Sequence, residues 1–333
     1  MAGTLELTKR CCLRCVHCYL GSQELVHAAS DREMSTAQVL AILDQVVDAG
    51  CLHLLITGGD PLLRRDFPEI YRHARLSGLD VTVFTSGIPI TERIVELFLD
   101  LPPQIVEITL YGATAMTYER ITGVPGSYAH CLAGVGRLHD AGVRLGIKTM
   151  LMTLNSHELE AIETIAARYN AKFRFDPVLM SCLDGNRAPL ALRVDAGQAI
   201  RLEFADGARG KAWTDFRTRN PDFPPSDRLI QCGAGQTGFH VDAYGTLQAC
   251  VLLPGVSYDL LAGTFAEGWA RLAAVRELRA RASNRCVSCP KRAYCGYCPG
   301  LMALENDDGE LPSPYLCALG DERLRAMDLA LTR

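Results

Sequence analysis

The chain lacks the features that would take it out of the cytosol or onto a polyanion. Its first ten residues hold no apolar signal core, and no apolar run is long enough to span a bilayer, so a cytoplasmic protein without a membrane partner is expected. No Lys/Arg-rich run appears and the net charge is −4, which leaves nothing to draw the chain to nucleic acid or an anionic membrane. There is no internal repeat. Cysteine is nearly missing from the long middle, where only Cys51, Cys131 and Cys182 occur.

What is present starts with size. A chain of 333 residues, 48% hydrophobic and 22% charged, can build a sizeable core and suits one large or two unequal domains. The 14 cysteines concentrate at the two ends. In a cytosolic chain, closely spaced cysteines read as metal ligands before disulfides.

From residue 4 to about residue 178, strand and helix patterns alternate. Strands are expected near Thr4–Leu7, Leu52–Thr57, Asp80–Thr85, Ile105–Leu110, Arg144–Met150 and Lys172–Val178. Between them, Thr36–Asp48 carries Val39, Leu43, Val46 and Val47 at helical spacing, with Ser35-x-x-Gln38 as a capping box. About six strand–helix units imply an α/β fold with a parallel sheet and outer helices. Six are too few for an eight-fold barrel, so a partial, open barrel is expected, with its site at the carboxyl ends of the strands. Beyond residue 190, Arg193–Ala205 reads as a helix and Gly207–Pro225 as a connector. From Cys232 onward only Phe265–Arg281 looks strongly helical. The expected division is 1–190 for the barrel, 191–226 for helix and connector, and 227–333 for a cysteine-rich region with little core, held by metal.

Cys11, Cys15 and Cys18 form C-x3-C-x2-C, followed by Tyr19. Three close thiolates suit an iron–sulfur cluster and leave one iron of a four-iron cube without a protein ligand. The bland alternative is a zinc knuckle or buried cysteines. This loop resembles the signature of the radical S-adenosylmethionine (SAM) superfamily. The resemblance implies that the open iron chelates SAM and that the reduced cluster cleaves it to a 5′-deoxyadenosyl radical.

Further along, Thr57-Gly58-Gly59-Asp60-Pro61 is similar to the superfamily's Gly-Gly-Glu-Pro segment, which implies a cradle for the SAM amino group at Gly58, Gly59 and Asp60; Asp60 is shorter than the usual Glu. The resemblance also implies SAM contacts from Thr85, Ser86 and Thr109 at strand ends, and from Tyr19 near the adenine. Turn chemistry is the alternative for the hydroxyls. Lys148, Asn155, Arg174, Asp176 and Asp184 fall at or beyond the last two strands, where a side chain can hold substrate or pass a proton. Asp176 and Asp184 are the catalytic candidates, and an Arg174–Asp176 ion pair on one strand face is the structural alternative.

The tail runs Cys232-x12-Gly245-x4-Cys250, then Cys286-x2-Cys289-x5-Cys295-x2-Cys298, then Cys317. It resembles the SPASM extension, which carries two auxiliary 4Fe–4S clusters, making three clusters in all. The resemblance implies Cys286, Cys289, Cys295 and Cys317 for an outer cluster and Cys232, Cys250 and Cys298 for an inner one. The inner set is one ligand short, and substrate, solvent, Cys182 or His240 are the candidates for that place. A zinc knuckle is the rival reading of the tail.

The implied activity is oxidative C–H functionalisation of a ribosomally made peptide, such as a crosslink. A radical dehydrogenase or epimerase of a sugar or aminocyclitol is the runner-up. A metal-stabilised binding or electron-transfer protein is the non-enzymatic third. The resemblance also implies an electron donor such as flavodoxin or ferredoxin. Ten residues precede Cys11, too few for a leader-recognition domain, so a separate leader-binding protein is the expected partner if the substrate is a peptide.

Overall fold

A computed structural model describes residues 1–21, 32–205, 207–220 and 226–331. Six parallel strands come first: β1 (Ala2–Glu6), β2 (His53–Thr57), β3 (Asp80–Thr85), β4 (Ile105–Thr109), β5 (Leu145–Met150) and β6 (Lys172–Asp176). They lie in the order β6-β5-β4-β3-β2-β1, each parallel to its neighbour. The partial α/β barrel read from the sequence is therefore present.

The strands divide their residues by face, as a pleated ribbon must. Leu5, Leu54, Ile56, Val81, Val83, Val106, Ile108 and Ile147 are buried against the outer helices. Those helices are α1 (Thr36–Asp48), α2 (Phe67–Leu76), α3 (Glu92–Asp100), α4 (Ala115–Thr122), α5 (Ser127–Asp140) and α6 (Leu159–Arg168). The opposite face is largely polar, with Thr4, Thr57, Thr82, Glu107, Thr109, Lys148, Arg174 and Asp176, and it lines a cavity instead of a packed barrel interior. Local signals set the helix ends. Ser35 and Gln38 cap each other reciprocally at the start of α1, and Gly123 (φ 67°) ends α4.

Three features differ from the sequence reading. The segment read as a connector carries α8 (Gly207–Arg219), just after α7 (Ala196–Ala205); residues 221–225 of that connector lie outside the described residues. α8 has no apolar stripe to announce it and is held by tertiary contacts: Phe216 packs edge-on to Tyr294, and Arg217 pairs with Asp328 at 2.6 Å.

The tail is also more helical than expected. Beside α9 (Phe265–Arg276) it holds α10 (Arg292–Cys295), α11 (Pro299–Asn306) and the 18-residue α12 (Pro314–Leu331). α12 buries Leu316, Leu319, Gly320, Arg323 and Met327, a helical spacing hidden by its glycine and charges.

Finally, β7 (Gly238–Val241) pairs in parallel with β1, and β8 (Thr246–Gln248) and β9 (Ser257–Asp259) extend the same sheet antiparallel. The cysteine-rich region thus continues the barrel sheet from its first strand. Among the described residues no helix is long and apolar enough to cross a membrane.

Candidate active site

The loop carrying Cys11, Cys15 and Cys18 leaves β1 and is fastened on two sides. On one side Gly59 N donates to Thr8 O at 2.7 Å and Asp60 N to Arg10 O at 2.8 Å. The approach is so close that a Cβ on Gly58 (φ 149°) would sit 2.2 Å from Thr8 O, and one on Gly59 2.2 Å from Arg10 O. Only glycine fits at either position for steric reasons, and at Gly58 for its backbone conformation as well. On the other side Arg14 N donates to Thr122 O (2.8 Å) and Val16 N to Ile121 O (3.0 Å), at the end of α4.

All three cysteines line one cavity of ≈ 1040 Å³ that spans the polar face of the sheet. Burial pushes the Cys15 thiol up to about 12 and raises Cys18; Cys11 is raised chiefly by its hydrogen bond with Cys12. Iron would have to displace these protons. Besides meeting Cys11, the Cys12 thiol lies 3.6 Å from Ser86 Oγ. Within the loop, buried His17 has an Nδ1 with no hydrogen-bond partner. Three soft donors on one wall, a glycine-tight cradle and an orphaned nitrogen fit a sulfur-ligated cluster with a bound organic cofactor. Among the described residues no three His, Cys, Asp or Glu side chains converge on a single-ion site.

Asp60 departs from its expected place. Gly58, Gly59, Thr85, Ser86, Thr109 and Tyr19 all line the cavity, and Asp60 does not. Its carboxylate is fully buried behind the wall, where it accepts from Thr85 Oγ1 (3.0 Å to each oxygen), Ser86 N (2.9 Å), Ser86 Oγ (2.6 Å) and Leu62 N (3.2 Å). The short side chain ends among these donors, so the Thr85 and Ser86 hydroxyls are engaged as well. Tyr19 donates its hydroxyl to Glu6 Oε1 at 3.3 Å; Glu6, fully buried, also pairs with Lys9 and lies 3.9 Å from His240 Nε2.

Along the cavity wall Arg174 pairs with Glu107 (2.6 Å), not with Asp176; Lys148 lies 3.5 Å from the same carboxylate, over the Phe84 ring. One strand, β5, separates Arg174 from Glu107, and the long arginine side chain crosses it to reach a mostly buried acid. Burial lowers Lys148 to about 7, with Glu107 opposing the shift. Asp176 lines the cavity and is raised by burial; its Oδ1 accepts from Val178 N. Asp184 does not line the cavity: it lies against Gly21 and accepts from Asn186 N. Asn155 is buried and bonded to the backbone of Tyr111, Met150 and Met152, a structural post.

The tail cysteines fall into two sets. Cys232, Cys250 and Cys298 lie within one another's electrostatic influence, and the first two line the far end of the cavity. Cys286, Cys289, Cys295 and Cys317 form the second set. Gly320 lets α12 bring Cys317 in, since a Cβ there would sit 2.9 Å from Cys295 Cβ. Cys182 is not with the inner trio: its thiol donates to Cys18 O at 3.3 Å. Sequence reasoning missed Tyr111, His17, Glu6 and Glu107. Tyr111 and Glu107 were legible as the inward alternates of β4 and its extension; His17 stands between two motif cysteines.

A model of the radical SAM superfamily matches residues 5–168. The AdoMet-dependent heme synthase of Methanosarcina barkeri is 33% identical over 331 residues, covering 93% of this chain and 94% of that protein. The PqqA peptide cyclase of Rhizobium meliloti is 30% identical over 172 residues, 52% of this chain and 45% of that protein, so the match spans less than half of that relative. Among solved structures, anSMEcpe with bound AdoMet superposes with a TM-score of 0.72 at 13% identity over the full length of both chains. It has also been solved with AdoMet and the Kp18Cys peptide. That likeness is one of fold.

Proposed function

The chain belongs to the radical SAM superfamily, with SPASM-type relatives over most of its length, and on that premise we propose that it oxidatively modifies a ribosomally made peptide at an unactivated C–H bond. It is an enzyme of SAM and a 4Fe–4S cluster, and the non-enzymatic reading gives way. Cys11, Cys15 and Cys18 are the proposed cluster ligands. Gly58 and Gly59 offer backbone to the SAM methionyl group, with Thr85, Ser86, Thr109 and Tyr19 around it. Bound there, SAM and the cluster supply a 5′-deoxyadenosyl radical.

One observation carries the oxidative reading: a single cavity joins the first cysteine loop to Cys232 and Cys250. A substrate in it meets the radical source at one end and an electron acceptor at the other. We assign Cys232, Cys250 and Cys298 to an inner auxiliary cluster and Cys286, Cys289, Cys295 and Cys317 to an outer one. Asp176, on the cavity wall with a carboxyl raised by burial, is the nearest candidate to take a substrate proton. A flavodoxin or ferredoxin is the proposed electron donor.

Peptide relatives and a peptide-bound fold neighbour support this substrate class. The match to a heme synthase along nearly the whole chain favours a second reading, a tetrapyrrole. Reconstituted enzyme with SAM and reductant should be given precursor peptides encoded beside its gene and, separately, iron-coproporphyrin III. A mass loss in a peptide coupled to 5′-deoxyadenosine supports the first reading; a coupled change in the porphyrin alone replaces it with the second.

A further inference from the structure

We propose that Lys148 and Arg174 are the receptor for a carboxylate of the substrate, an Asp or Glu side chain of a peptide or a propionate of a tetrapyrrole. The inference rests on the reading above, that the cavity takes a C–H substrate beside SAM. Among the described residues that line the cavity, these two are the only lysine or arginine. They are register partners on β5 and β6, and Thr109 of β4 continues their row. The Gly58–Gly59 cradle follows β2, four strands from β6, roughly 19 Å along the sheet at the usual strand spacing. Arg174 therefore faces the part of the cavity left to the substrate.

The two cations share one anion. Arg174 Nη2 lies 2.6 Å from Glu107 Oε2 and Lys148 Nζ lies 3.5 Å from the same oxygen. Gly146 leaves room for that acid against β5, since a Cβ there would crowd Glu107 Cγ at 3.0 Å. The Phe84 ring supports Lys148 Nζ, 2.8 Å from its centroid. The other acids of the cavity are engaged elsewhere: Glu6 pairs with Lys9, and Asp176, raised by burial, accepts from Val178 N. Arg174 gives Nε and Nη2 to Glu107, which leaves Nη1 for an arriving carboxylate. Arg174 is the fixed charge of the pair. Lys148 is the adjustable one, held down to about 7 by burial and raised again when an anion arrives.

The test measures binding to full-length, cluster-loaded enzyme with SAM, using paired probes. One pair is iron-coproporphyrin III and its tetramethyl ester. The other is the precursor peptides encoded beside the gene and the same peptides with Asp and Glu replaced by Asn and Gln. Arg174→Gln should weaken the acidic probe about tenfold and leave its neutral counterpart within about twofold. Glu107→Gln frees Arg174 from its internal partner and should tighten the acidic probe, which a merely structural ion pair would not do; it decides the matter if the Arg174 variant fails to fold. The pair of probes that shows the contrast identifies the source of the carboxylate. Equal losses for acidic and neutral probes, or Glu107→Gln binding the acidic probe no more tightly than the wild type, overturn the proposal. So does a loss of SAM affinity beyond about twofold in Arg174→Gln, because the carboxylate held there would then be SAM's own. A wild-type enzyme that binds none of the probes overturns the substrate reading beneath it.

Discussion

Asp60 offers the sharpest test of how this site is built. The superfamily-like position holds a carboxylate that is fully buried and meets four donor groups, two of them the backbone N–H of Ser86 and Leu62. In Asp60→Asn one oxygen becomes an NH2. The hydroxyls of Thr85 and Ser86 can turn to accept from it; the two backbone N–H groups cannot, and one is left facing the amide. An unsatisfied buried donor costs about 1–3 kcal/mol, and removing a buried charge offsets part of that, so a net loss of ~1–2 kcal/mol is expected. Urea unfolding of the apoprotein measures it. Because Ser86 belongs to this network and the Gly58–Gly59 turn leads directly into Asp60, SAM affinity should fall about tenfold, read by anaerobic equilibrium dialysis. Asp60→Glu separates the two accounts. If residue 60 met the SAM amino group, the longer side chain would tighten binding. If the carboxylate is a buried post, an added methylene overpacks its pocket at ~1–3 kcal/mol and binding weakens. Tighter SAM binding by the Glu variant would refute the reasoning.

Other predictions follow from the same geometry. Gly59→Ala places a Cβ 2.2 Å from Arg10 O and 2.4 Å from Lys9 O, so the cysteine loop must shift; SAM binding should fall at least ~tenfold in dialysis. The folded state holds Lys148 at about 7 against an ordinary 10.5, so between those values the unfolded chain binds more protons and stability rises with pH. Below about pH 7 the penalty is complete, and Lys148→Met should stabilise the apoprotein at pH 7 by ~2–4 kcal/mol, with the gain shrinking by pH 10; a variant less stable at pH 7 would contradict it. Arg174→Gln removes a cation that lowers Lys148, so the Lys148 amine should titrate higher, which 13C-methyl NMR after reductive methylation can follow.

The barrel was legible because period-two strands and period-3.6 helices alternate cleanly through residue 178, and because the capping box at Ser35 and Gln38 is a local signal. The cysteine loop and the glycine turn were legible as residue types at fixed spacing. What stayed hidden depends on direction and partners. Nothing in Gly-Gly-Asp-Pro says that the carboxylate turns into the wall. Arg174 and Asp176 share a strand face, yet Arg174 reaches across β5 to Glu107, a pairing set by sheet order. α8 lacks an amphipathic stripe and exists by contact with Tyr294 and Asp328. The pairing of β7 with β1 joins residues far apart in the chain, beyond the reach of local pattern.

The most direct test of the central claim is 5′-deoxyadenosine formation by anaerobically reconstituted enzyme given SAM and a low-potential reductant, followed by mass spectrometry. The account predicts 5′-deoxyadenosine from the wild type and none above background from Cys15→Ala. Formation that survives in Cys15→Ala, or a fully cluster-loaded wild type that makes none with either candidate substrate present, would contradict it.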